Sequence, residues 1–343
     1  MAELRKNPLT REWVIISPTS PTMAEAPDVC PYCPGNESRC GPESLAYRDP
    51  RTAADTPGWR VRVVPNRGSY LGPGGELSPP ALGAAPERGF AASGGDGGIY
   101  VSMAAAGADE IIIETPSHDE PALASDALQA EDALWACRER YAYWCALPFV
   151  RCVVIAREHP APYPGHPHWR LLALPVVPQP LWELAKGMAQ YYDYRGRCGV
   201  CHLLSEETKD ASRVVAENRA FVAIAPYFSA HPYEIWVVPR RHHASLLDDQ
   251  PQEMQGLARV IAEATRALEA ALPDPRCVLT FMSAPCNIEG MERFHWFLRI
   301  APGVGVTVAT ALACGIASNP VAPETAAQRL RRALPTALVA RRL

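Results

Sequence analysis

One segment pattern occurs twice along this chain, and that repeat constrains the fold more than any other feature. Residues 109–118, DEIIIETPSH, read as a buried strand ending in histidine. Residues 121–146 then space Leu, Ala, Trp and Tyr as a helix does. Residues 149–156 (FVRCVVIA) and 166–178 (HPHWRLLALPVVP) read as two more strands. The second half keeps the order. YEIWVVPRRH (233–242) is a strand ending in histidine, 249–272 a helix, and CVLTFMS (277–283) and HWFLRIA (295–301) are strands. Glu110 precedes His118 by the same interval that separates Glu234 from His242, and each copy follows a CxxC pair, Cys30–Cys33 or Cys198–Cys201. Two strand–helix–strand–strand units, each with its own cysteine knuckle, are the expected framework.

Outside the repeat, WVII near residue 14 and WRVRVVPN (59–66) read as strands, while 180–197 reads as a bridging helix and linker and 323–335 as a closing helix. Residues 71–98 are rich in Gly, Pro, Ala and Ser without a period, which predicts a surface loop or disordered insertion. The 343 residues suffice for one large domain or two of ordinary size. A net charge of −4 supplies no basic field for nucleic acid or an acidic membrane. No apolar run is long enough for a membrane span, and the polar N-terminus lacks a signal-peptide core, so a cytoplasmic location is expected. In a reducing compartment the 11 cysteines should form no disulfide framework, and paired spacings are read first as metal sites.

Cys30, Cys33, His118 and His166 offer two thiolates and two imidazoles, the donor set of a closed tetrahedral zinc site. Cys198, Cys201, His242 and His295 offer the same set in the same order, so two zinc ions per chain are expected. Either CxxC alone could instead be a redox pair or plain buried thiols. His243 competes with His242, and the Glu-to-His spacing favours His242. Cys137, Cys145, Cys152, Cys277 and Cys314 read as small core residues, Cys40 as a loop thiol, and Cys286 stays open.

The two copies differ at one place that matters for chemistry. The first opens its last strand with His166-Pro167-His168, the second with His295-Trp296-Phe297. Positions i and i+2 of a strand share a face, so His168 would stand beside the ligand His166, where the second copy has a phenyl ring. A neutral imidazole is a good nucleophile toward phosphorus, which makes His168 the candidate for a nucleotidyl-histidine intermediate. Arg170, again on that face, could hold phosphate oxygens bidentately, and Arg157 and His159 could complete a phosphate site with it.

These residues lie in a longer series: NPLTREWVIISP, CPYCPGNE, VVPNRGSYL, EIIIETPSH, HPHWRLLALPVVP, CGVC, FVAIAPYFSAHPYEIWVVPRRH, FHWFLRI and NPVAPE. In this order they resemble the galactose-1-phosphate uridylyltransferases and the related ADP-glucose phosphorylases of the histidine-triad superfamily. The resemblance implies an α+β protein of two histidine-triad-like lobes, at 1–180 and 181–343, each an antiparallel sheet flanked by helices, and a homodimer. It implies that His168 is the nucleotidylated residue, that Cys30, Cys33, His118 and His166 hold a structural metal, and that Asn66 contacts the nucleoside. It also implies nucleotide sugars and sugar phosphates, or other phosphorylated small molecules, as substrates.

The chain departs from the family pattern around the substrate. AREHPAPYPG replaces the Gly- and Ser-bearing loop before HPH, with Tyr163 near the serine's place, and Arg170 stands where the family has glutamine. VTVATALACGIASNP replaces the stretch that grips the hexose, so galactose specificity does not carry over. The expectation is a nucleotidyltransferase acting on a phosphorylated acceptor. The alternatives are a nucleotide-sugar phosphorylase or hydrolase, or a non-catalytic binding subunit.

Overall fold

The computed structural model describes residues 2–17, 29–72, 99–121, 127–161, 165–303 and 316–334. The unpatterned stretch from 71 onward falls mostly outside them, as do Tyr163 and Cys314.

Alternating apolar positions in each half produce five antiparallel strands. In the first half these are β3 (Leu45–Arg48), β4 (Trp59–Pro65), β6 (Ala108–Ile113), β7 (Cys152–His159) and β8 (His168–Leu174). In the second they are β9 (Val214–Glu217), β10 (Phe221–Ile224), β11 (Ile235–Pro239), β12 (Cys277–Met282) and β13 (Phe297–Pro302). The two sets are not separate sheets. They join where β7 pairs with β12, giving one ten-stranded order β3-β4-β6-β8-β7-β12-β13-β11-β10-β9. The second five mirror the first strand for strand. A small sheet of β2 (Trp13–Ile16), β1 (Glu3–Lys6) and β5 (Val101–Ala104) lies beside them.

One face of the large sheet is buried by helices. Helix α1 (Ala127–Cys145) packs on β4, β6, β7 and β8. After α2 (Gln179–Arg195) and α3 (Gly199–Asp210), helix α4 (Pro251–Ala271) packs on β9, β10 and β11 and against α1. Proline suits the first turn of α4, where no N–H partner is lost, and Met254, Leu257, Ala258, Ile261, Ala264 and Leu268 repeat at helical spacing and are buried. The last helix, α5 (Pro323–Ala333), closes over α4. The core runs unbroken through both halves, from Val61, Ile112, Ile155 and Trp169 to Leu279, Leu298 and Val237. Gly107 leads into β6 against the Ala173 carbonyl of β8, where a Cβ would stand 2.2 Å from that oxygen, so only glycine permits the approach.

The repeat is real but shifted by one residue at its acidic positions. Arg170 of β8 stands opposite Ile111, and Arg299 of β13 opposite Trp236, so the counterpart of Glu234 is Asp109, not Glu110. The contacts agree: Asp109 binds Arg170 and Glu234 binds Arg299, whereas Glu110 faces the helices and binds Arg140 of α1. The reading of Cys145 as a small core residue also needs correction. Cys145, at the end of α1, forms a disulfide with Cys286 in the loop after β12, 141 residues away. Cys137, Cys152 and Cys277 are buried free thiols.

Candidate functional site

Strand ends bring the first ligand set together. His118 lies five residues beyond the end of β6, His166 lies just before β8, and the turn carrying Cys30 and Cys33 closes with Cys33 N–H donating to the Cys30 carbonyl. The donor atoms of Cys30, Cys33, His118 and His166 all lie within 4.8 Å of one another. Cys33 Sγ is 3.4 Å from His118 Nδ1 and 3.6 Å from His166 Nδ1. His166 Nε2 is 2.8 Å from the Thr115 carbonyl, which can only accept, so Nε2 carries the proton and Nδ1 keeps a lone pair for a cation.

The second set forms by the same rules. Cys198 caps α3 and Cys201 lies in its first turn, with Cys201 N–H pointing at Cys198 Sγ. His242 follows β11 and His295 precedes β13. Their Nε2 atoms bond the Glu292 and Pro239 carbonyls at 2.8 and 3.0 Å, which turns both Nδ1 atoms to the thiols. His242 stands in this cluster, whereas His243 turns away and places Nδ1 2.5 Å from Asp249. Asp249 also accepts from Trp296 Nε1, and burial pushes its carboxyl up to about 6. With two thiols and two imidazoles each, both four-residue clusters could hold metal ions.

Beside the first cluster stands His168. It opens β8 and shares the sheet face with Arg170, Ile113 and Ile111, away from the helices. Its Nδ1 lies 2.7 Å from the carbonyl of His166, so the proton sits on Nδ1 and the lone pair on Nε2. Burial is the main cause that holds its pKa below the ordinary value, which keeps the ring neutral. Tyr32, inside the first CxxC, lays its ring edge-on to His168 at 5.6 Å between centroids. Burial raises its phenol to about 12, so it remains a hydrogen-bond donor at neutral pH.

Arg170 and Asn66 meet through a residue that sequence reasoning left unassigned. Asp109 takes a bidentate bond from Arg170 (2.9 and 2.7 Å) and another from Asn66 Nδ2 (3.0 Å). Tyr32 and Asp109 carried only indirect signals: one is enclosed by two ligands, the other precedes the glutamate that the repeat singled out.

Arg157 and His159 are not brought together with Arg170. Strand alternation sends both to the helix face. There Arg157 binds Glu114 bidentately with both side chains almost fully buried, and His159 Nε2 lies 2.8 Å from Glu269 of α4. Both groups are committed within the core, so among the described residues no phosphate site forms from Arg157, His159 and Arg170. The place assigned to Tyr163 lies outside those residues.

No protein-family model matches the chain. An ADP-glucose phosphorylase of Arabidopsis thaliana is 27% identical over 96% of this chain and 92% of its own length. A galactose-1-phosphate uridylyltransferase of Thermotoga maritima is 26% identical over 96% of this chain and 98% of its own. Among solved structures, a uridylyltransferase superposes with a TM-score of 0.77 at 23% identity, covering 98% of this chain and 99% of that one, which speaks to the fold alone. The Arabidopsis thaliana ADP-glucose phosphorylase crystallised with ADP-glucose superposes with a TM-score of 0.72 at 25% identity, over 96% of this chain and 99% of that one. Over nearly its whole length, in sequence and in fold alike, the chain resembles the galactose-1-phosphate uridylyltransferase and ADP-glucose phosphorylase family.

Proposed function

We propose that this chain is a nucleotidyltransferase that forms a covalent intermediate on His168. The observation that carries the reading is the His168 Nδ1–H bond to the His166 carbonyl, which leaves Nε2 as a neutral, oriented nucleophile on the sheet face opposite the described helices α1 and α4. Nε2 attacks the α-phosphorus of a nucleotide sugar. The P–O bond to the sugar phosphate breaks, the leaving group departs with that electron pair, and the nucleoside monophosphate stays on Nε2. An acceptor oxygen then displaces it. The His166 carbonyl keeps the proton on Nδ1 and stabilises the imidazolium charge that develops. Arg170 spends Nε and one Nη on Asp109 and keeps its other Nη for a phosphate oxygen.

Zinc fits both clusters by donor chemistry: Cys30, Cys33, His118 and His166 would hold one ion, and Cys198, Cys201, His242 and His295 the other. Bound in a closed Cys2His2 set, zinc supplies a rigid anchor. In the first cluster His166 would be held by that anchor, and with it the carbonyl that orients His168.

The resemblance to proteins named for ADP-glucose and for galactose 1-phosphate makes ADP- and UDP-hexoses the donors to try. The full chain incubated with nucleotide-labelled ADP- or UDP-hexose should acquire acid-labile, alkali-stable label, and His168→Asn should acquire none. Equal labelling of His168→Asn, or no labelling of the native chain by any donor, overturns the reading.

A further inference from the structure

The sheet opens beside His168. Strand β7 pairs with β8 only as far as Ala156–Arg170, and its continuation, Arg157 to His159, follows β12 instead. In the second half, β12 and β13 stay paired two residues further, from Thr280–Arg299 to Met282–Phe297. By that correspondence, His168 takes the place of Phe297 and Glu158 the place of Met282. Alternation puts Glu158 on the face of Ala156, and so of Arg170 and His168. It is exposed, whereas its neighbours Arg157 and His159 are buried on the other face. Among the described residues it has no ion-pair partner. Arg170 is already paired to Asp109, so it does not neutralise Glu158.

That carboxylate bears on the choice of acceptor. A phosphate acceptor arrives with a ready nucleophilic oxygen and needs no base. A hydroxyl acceptor is neutral and must lose its proton as its oxygen bonds phosphorus, which a carboxylate can accept. We propose that Glu158 is the general base of the second half-reaction and that this step delivers the nucleotidyl group to a hydroxyl, of water or an alcohol. The inference rests on the His168 intermediate proposed above. In the step, the acceptor O–P bond forms, the Nε2–P bond breaks with its electron pair returning to Nε2, and the hydroxyl proton passes to Glu158, which later releases it to solvent.

The experiment loads the full chain with labelled ADP- or UDP-hexose, removes the donor, and follows loss of label into buffer alone, glycerol, or orthophosphate. Native protein should discharge to nucleoside monophosphate in buffer, or to a glycerol phosphodiester, with no acceleration by orthophosphate. Which of the two hydroxyl products dominates separates water from an alcohol as acceptor. Glu158→Gln should load normally, which also reports that it is folded, and should discharge about 10²-fold more slowly. Glu158→Asp should recover part of that rate. Orthophosphate discharging the native intermediate faster than either hydroxyl, or Glu158→Gln discharging at the native rate, overturns the inference while leaving the intermediate standing. Absence of label in every protein removes the intermediate, and this inference with it.

Discussion

The two halves of the sheet run the same scaffold with different contents. Both end a strand near a Cys2His2 cluster, and both set an arginine two residues into the last strand against a carboxylate, Arg170 with Asp109 and Arg299 with Glu234. Around that frame the first half carries His168, Glu158 and the buried Arg157–Glu114 pair. At the matching places the second half carries Phe297, Met282 and Phe281. Phe297 stacks on Trp236 at 4.0 Å, and Phe281 packs near Trp169 and Trp296. One copy keeps polar groups where its strands part, while the other stays zipped and fills the same positions with apolar side chains. The shared parts are those that hold geometry, and the parts that differ are those that can do chemistry.

Removing the clusters tests the shared part and should give the largest effect. Metal binding in small zinc domains contributes folding free energy on the order of 10 kcal/mol. If both clusters bind zinc as proposed, Cys30→Ser and Cys198→Ser should each lose one ion by elemental analysis, with strongly lowered resistance to denaturant. They should differ in chemistry: Cys30→Ser frees His166 and abolishes labelling of His168, whereas whatever fraction of Cys198→Ser stays folded should label normally. Equal loss of labelling in that folded fraction would erase the contrast between the halves.

Next comes the proposed nucleophile. His168→Asn should lower turnover by at least about 10⁴-fold, as loss of a covalent nucleophile does. The reciprocal change, Phe297→His, puts an imidazole at the equivalent place in the second half, next to Met282 and the Trp236 ring. It should acquire no label in a His168→Asn background. Label on the introduced imidazole of that double variant would show that the scaffold alone suffices.

A third comparison concerns the buried pair. Arg157→Met removes the bidentate cationic partner of the Glu114 carboxylate, which is fully buried, and should cost about 3–5 kcal/mol. Converting both partners to apolar residues, Arg157→Phe with Glu114→Leu, imitates the second half and should recover most of that loss in chemical denaturation. Failure to recover would mean that the pair does more than fill space.

Much of the frame was legible in sequence because it rests on periodicity and on donor sets. The strands of the repeat, helices α1 and α4, and all eight cysteine and histidine positions of the two clusters fall where spacing places them. Of the six strands of four residues only β2, the apolar run WVII, was legible; β1, β3, β5, β9 and β10 are too short for a period to show against their surroundings. Helix α3 was hidden because its first turn reads as a cysteine knuckle. The site's finer wiring depends on register, which a single sequence does not state. Arg157 and His159 follow one strand toward the helices, and whether they face the site is a question of odd or even position across a pairing 14 residues distant. The same parity separates Asp109 from Glu110. The Cys145–Cys286 bridge joins segments that only the folded sheet brings near each other.

The smallest effect is expected where the halves agree. Arg299 loses one bond to Glu234 when replaced by methionine, but Glu234 keeps the Trp236 indole N–H and the Ala230 and His231 amides. Asp109 likewise keeps Asn66 when Arg170 is replaced. Both arginines are partly exposed, but Asp109 and Glu234 are buried, so each loss should cost about 1–3 kcal/mol, less than at Glu114 because other donors remain. Arg299→Met and Arg170→Met should therefore shift denaturation midpoints alike, and by less than Arg157→Met. Donor binding should separate them. Arg170 is two residues from His168 on one face and has an Nη to offer a phosphate oxygen, so its loss should raise the KM for the nucleotide sugar about tenfold, the worth of one charge-assisted hydrogen bond. Arg299, beside Phe297, should leave KM where it was. If both variants moved KM together, the substrate would have to span the two halves, and the division of labour between them would be wrong at its most symmetric point.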